Sequence, residues 1–169
     1  SPDSTMISVY IQSGSSFDEW IVPVDKGEAR PFITTPFSDY YGRFSPDGRW
    51  FSYISHESGR SELYVVPYPG PGGRWQISAG GASDGRWLGR GLEILYQTQE
   101  GRLLAVDLKA VESNLEVGKA RPVFGGASLN NPYAVSADGT RLLVAVPSGQ
   151  TGTPMLNLVV NWTAALSQP

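Results

Sequence analysis

One histidine, His56, and no cysteine stand among the 169 residues, so the chemistry open to this chain is narrow. A thiol nucleophile, a disulfide and a thiolate metal site are excluded, and a metal would need mostly oxygen ligands. No D-x-[DN]-x-[DN]-G calcium loop is present. Gly81-Ala82-Ser83-Asp84-Gly85 matches the G-x-S-x-G pattern of a nucleophile elbow. That elbow needs a strand before the serine, a helix after it and a histidine downstream. Here no helical pattern follows and His56 lies upstream, so Ser83 reads as a loop residue. His56 itself, in "ISHESGRSE", reads as a solvated loop histidine. No glycine-rich phosphate loop precedes a helix, and the strand lysine, His-Arg-Asp and Asp-Phe-Gly motifs of phosphoryl transfer are absent. The carboxylates Asp18, Glu19, Glu57, Glu62, Asp84, Glu93 and Glu100 include no pair in an apolar context that would split two pKa values for acid–base work. The expectation is a chain without catalytic residues, metal or cofactor.

The elements that would carry any other site follow from composition. Hydrophobic residues make up 40% of the chain and charged residues 17%, with 20 Gly and 13 Pro. Many turn formers and little charge suit an all-β domain of short strands. Net charge is -3, and the ten arginines among the thirteen basic residues are scattered. That pattern gives no electrostatic footprint for nucleic acid. No apolar run approaches the ~20 residues that span a bilayer, so no membrane contact is expected of this segment.

The strongest pattern is a repeat. "RFSPDGRWFSYIS", Arg43 to Ser55, holds a Ser-Pro-Asp-Gly corner between two apolar runs. Pro46 presets φ for a type I turn, Ser45 and Asp47 can bond nearby backbone, and Gly48 accepts positive φ. Ser1-Pro2-Asp3-Ser4 and Ser136-Ala137-Asp138-Gly139 are copies of the corner. "RWLGRGLEILY" (Arg86 to Tyr96) aligns with Arg43 to Tyr53, which puts Leu88 to Gly91 at the same place. The corners at 1, 45, 88 and 136 are 44, 43 and 48 residues apart. Second strands ("TMISVYIQ", "RWFSYIS", "LEILYQT", "TRLLVAV") and third strands ("DEWIVPVD", "SELYVVPYP", "GRLLAVDL", "PMLNLVVNW") recur behind them. Short first strands ("YYGRF", "DGRW", "PYAV") and fourth strands ("ARPFITTP", "GRWQISAGG", "ARPVFGGA") complete the unit. Four antiparallel strands in ~40–45 residues form a β-propeller blade. The expected repeats are 1–40, 41–83, 84–130 and 131–169, with the first and last blades incomplete.

The corner, followed by "S-x-x-S-G-x-x-E-L-Y-V" from Ser55 to Val65, resembles the WD40-like (PD40) repeat of TolB-type propellers. "PYPGPGGRWQIS" (Pro67 to Ser78), "GKARPVF" (Gly118 to Phe124) and the closing "LNLVVNW" (Leu156 to Trp162) are similar to the carboxyl-terminal propeller of bacterial membrane-anchored serine/threonine protein kinases. The resemblance covers essentially the whole chain; Leu88 to Gly91 and Ala137 depart from the corner pattern. It implies a non-enzymatic binding or sensing scaffold, the carboxyl-terminal part of a larger bacterial signalling protein, outside the cytoplasm. The alternative is the propeller of a prolyl-oligopeptidase-like hydrolase without its catalytic domain.

In such propellers the loops joining outer to inner strands, and second to third strands, gather on one face. They carry Asp39, Tyr40, Tyr41 and Arg43; His56, Glu57 and Arg60; Asp84 and Arg86; and Asn130, Asn131 and Tyr133. Tyrosine, arginine and asparagine supply contact area and directional hydrogen bonds, so this is the candidate binding face for a protein or small ligand. About four repeats do not close the ring of roughly six to eight blades that the resemblance implies. Pro154 to Trp162 would then present an apolar edge, and self-association into a dimer is expected.

Overall fold

A computed structural model of the chain describes residues 1–89, 92–112, 114–123, 133–136, 138, 139, 141–145 and 156–160, with backbone alone for 144, 145 and 156–160. The described residues contain fifteen strands and no helix. They form four antiparallel sheets in chain order. The first joins β1 (Met6–Ser13), β2 (Ser16–Pro23) and β3 (Arg30–Ile33). The second runs β4 (Asp39–Phe44), β5 (Trp50–Ser55), β6 (Glu62–Pro67) and β7 (Trp75–Gln76). The third runs β8 (Asp84–Leu88), β9 (Glu93–Gln97) and β10 (Leu103–Val111), and both β11 (Asn114–Val117) and β12 (Arg121–Pro122) pair with β10. The fourth joins β13 (Tyr133–Val135), β14 (Arg141–Ala145) and β15 (Leu156–Val160). This is the all-β partial propeller that the repeat implies. β4 begins two residues before the expected repeat boundary at 41, and the β10–β11 hairpin has no counterpart among the described residues of the other repeats.

Alternation within the strands explains the stack. In β5, Trp50 and Ile54 face the third sheet with Leu63 and Val65 of β6, while Phe51 and Tyr53 face the first with Tyr64. In β9 and β10, Ile94, Tyr96, Val106 and Leu108 turn toward the second sheet, and Leu95, Leu103 and Ala105 toward the fourth. Sheets buried on both faces need continuous apolar runs rather than a polar–apolar alternation, which is what "WFSYI" and "LYVV" supply. Three apolar seams therefore join four sheets: Ile21 with Phe51 and Tyr53, Trp50 with Ile94, and Leu95 with Tyr133 and Leu142. Each fully buried aliphatic or aromatic side chain contributes about 1.5–3 kcal/mol relative to exposure.

The corners hold the stack in register. At Ser45 the Gly48 N–H donates to the Ser45 carbonyl at 3.0 Å, and Trp50 N–H donates to Ser45 Oγ at 2.9 Å. Ser45 Oγ donates to Asp47 Oδ1 at 2.6 Å, and Gly48 takes a φ of 69°. Ser136 repeats the set: Gly139 N–H to the Ser136 carbonyl at 2.8 Å, Arg141 N–H to Ser136 Oγ at 2.9 Å, and Gly139 at φ 69°. Ser1 does the same, with Met6 N–H donating to its Oγ at 2.9 Å. The serine and aspartate of the corner are structural, as the sequence suggests.

Candidate functional site

The residues expected on one face separate into two places. The inner strand β4 reaches the first with a β-bulge between Tyr40 and Arg43. Tyr41 in that bulge has φ 58°, a left-handed conformation that disfavours a bulky side chain. Gly42 follows because a Cβ there would lie 2.2 Å from the Phe51 ring and 2.5 Å from Glu19 Oε2. The bulge leaves Tyr41 43% exposed, against Tyr10 (5.7 Å between ring centroids) and Tyr40 (4.8 Å), both edge to face. His56 closes the group: its Nε2 lies 2.7 Å from the Tyr40 hydroxyl and 2.8 Å from Ser61 Oγ. These side chains, with Phe17, Ser83 and Gln99, line a cleft of about 530 Å³ at the loop end of the first three sheets.

Tyr10, Phe17, Ser61 and Gln99 were not among the expected residues. The signal was available, since Tyr10 and Phe17 flank the loop between the second and third strands of the first repeat. Ser83, in the elbow-like motif, donates through its hydroxyl to the Gln97 carbonyl at 3.3 Å. Glu57 and Arg60 hold the loop itself: Glu57 pairs with Arg74, and Arg60 Nε lies 3.0 Å from Glu62 Oε1. Asn130 and Asn131 lie outside the described residues.

Arg43, Asp84, Arg86 and Tyr133 come together elsewhere, on the concave wall formed by the inner strands β4, β8 and β13. Arg86 Nε lies 2.9 Å from Asp84 Oδ2, Arg43 Nη2 lies 3.7 Å from Asp84 Oδ1, and the Arg86 guanidinium stands 5.9 Å from the Tyr133 ring centroid. Burial, reinforced by the charge of Arg86, pulls Arg43 below its ordinary range, and burial pushes the Tyr133 hydroxyl up.

Three carboxylates, Glu19, Asp39 and Glu62, are fully buried among the described residues. Glu19 and Glu62 stand at one repeat position, each near the start of a third strand. Glu62 accepts from Gly80 and Gly81 N–H at 3.0 Å each, and from Ser78. Glu19 accepts from Ser8 Oγ at 2.7 Å and from Gly42 N–H at 2.5 Å. Burial raises its carboxyl above the usual carboxylate range. Both tie strands together rather than face a cleft.

No family model and no curated protein matches the chain. Solved structures do. The chain is similar to TolB from Acinetobacter baumannii, at 17% identity and TM-score 0.58, over 95% of this chain and 39% of that one. It is similar to the β-propeller domain of Cps50 (Swd1) from Myceliophteria thermophila at 12% identity and TM-score 0.56, over 83% of this chain and 49% of that one. A structure described as a 6-phosphogluconolactonase from Bacteroides uniformis shares 18% identity at TM-score 0.55, over 95% of this chain and 53% of that one. The fold is that of a β-propeller, of which this chain spans about half the length or less of the structures it resembles.

Proposed function

We propose that the chain is a non-enzymatic protein-binding scaffold, a stack of propeller blades that presents the Tyr10–Tyr40–Tyr41–His56 cleft to a partner segment. Tyr41 carries this reading. A tyrosine held at φ 58° and 43% exposed costs folding free energy of order 1–3 kcal/mol. Strain of this kind gathers where a side chain must be aimed, and tyrosines with a nearby histidine supply contact area at low entropy cost. The corner and loop motifs support a larger bacterial signalling protein as the parent, and the resemblance to TolB-type propellers supports a location outside the cytoplasm.

The test is peptide selection on the immobilised chain, with Tyr41→Gly as the comparison. Glycine accepts φ 58° without strain, so the variant is expected to melt within a few degrees of wild type. Selected peptides are expected to bind the wild type and to lose at least about tenfold in affinity on Tyr41→Gly, as for a truncated aromatic anchor. Selection that enriches nothing, or peptides indifferent to the variant, would overturn the reading.

A further inference from the structure

Arg43 and Arg86 stand at one repeat position, two residues before the corner, in neighbouring inner strands. The repeat therefore sets two guanidiniums side by side on the concave wall. One carboxylate lies between them: Asp84 meets Arg86 Nε at 2.9 Å and Arg43 Nη2 only at 3.7 Å, and its Oδ1 also accepts the Gly85 N–H at 2.8 Å. The trio by itself carries one net positive charge; the buried Glu19 carboxyl also acts on Arg43, and Ser1, which bears the α-ammonium, lines the same space. Arg43 Nε is buried and has no hydrogen-bond partner among the described residues. A half-buried cation without a full counter-charge is a cost that stability alone does not call for.

The space in front of the pair is about 850 Å³ and is walled in part by Met6, Ile7, Phe44, Trp87 and Val135. We infer that this concave wall is a binding site for a single carboxylate carried on an apolar group, with Arg43 and Arg86 holding the carboxylate and the apolar wall its tail. The planar guanidinium fork matches the two oxygens of a carboxylate, and an apolar tail buries wall surface that a bare anion would leave wet. The carboxylate can come from the last residue of a peptide or from a free apolar acid. This site is separate from the aromatic cleft and does not depend on the function proposed for it.

The 169-residue chain is titrated with N-acetyl-leucine, with its carboxamide and with hexanoate, following the Trp87 indole N–H by NMR. That group donates to the Arg43 carbonyl at 3.1 Å and so reports on the wall. Saturable shifts with the acid and binding about tenfold weaker for the carboxamide are expected, the difference of one charge-assisted contact. Hexanoate equal to N-acetyl-leucine assigns a free acid; weaker hexanoate assigns a chain terminus. Arg86→Gln is expected to weaken binding about tenfold. If that variant fails to fold, Asp84→Asn decides. It keeps an acceptor for Gly85, removes the internal competitor and is expected to tighten binding severalfold. Equal binding of acid and amide, no saturable shift, or an Asp84→Asn variant no tighter than wild type would overturn the inference.

Discussion

Glu19 shows how a buried carboxyl that ties strands together makes stability depend on pH. Its carboxyl normally titrates near 4.5, and burial raises it in the folded chain. In the window above about pH 4.5 the unfolded chain gives up this proton first, so the folded state holds the extra one and stability falls as pH rises; above the raised folded value the slope ends. Glu19→Gln keeps an acceptor for the Gly42 N–H and can donate its amide to Ser8 Oγ. The expected outcome, by urea unfolding across this window, is a shallower loss of stability with rising pH than in wild type. A variant with an unchanged slope would show that Glu19 is ionised throughout. In sequence, Glu19 and Glu62 look like surface charges; only their shared place before a run of third-strand apolar residues hints that both go inside.

At the scale of elements, the second and third strands were legible because burial on both faces leaves an uninterrupted aromatic and β-branched run. The outer strands β7 and β12, two residues each, offer no such run. The β10–β11 hairpin was not legible at all. "LKAVESNLEV" carries no Gly, Pro or Asn-Gly signal, and the turn is made by Glu112 at φ 52°. The corners were legible because Ser, Asp and Gly each have one physical task there. Ser45→Ala removes the acceptor for Trp50 N–H, a bond between two buried residues beneath an exposed corner. It is expected to cost about 1–2 kcal/mol by chemical denaturation. A change within a few tenths of a kcal/mol would mean that water or the Asp47 side chain replaces the hydroxyl.

At the scale of the whole molecule, the split of the expected binding face into a cleft and a concave wall could not be read from loops alone. Tyr41 and Arg43 are two residues apart, and the bulge between them, which depends on Glu19 in the neighbouring sheet, sends one to each place. The same scale bears on association. The first edge of β1 and the outer edge of β15 pair with no strand among the described residues, and β1 exposes Ile7, Tyr10 and Ile11. Such edges template pairing with another chain. Light scattering over a concentration series is expected to show dimers of this chain; a monodisperse monomer throughout would contradict it.

The three seams of the stack are not alike. The β10–β11 hairpin carries Leu115 into the seam between the second and third sheets and brings Asn114 Oδ1 within 3.1 Å of the Trp75 indole nitrogen. That seam is filled at its middle and clasped at its outer rim. Under tension along the chain, the two central sheets would hold together as one mechanical block while the outer sheets peel away from it, so the hairpin works as a rivet between blades.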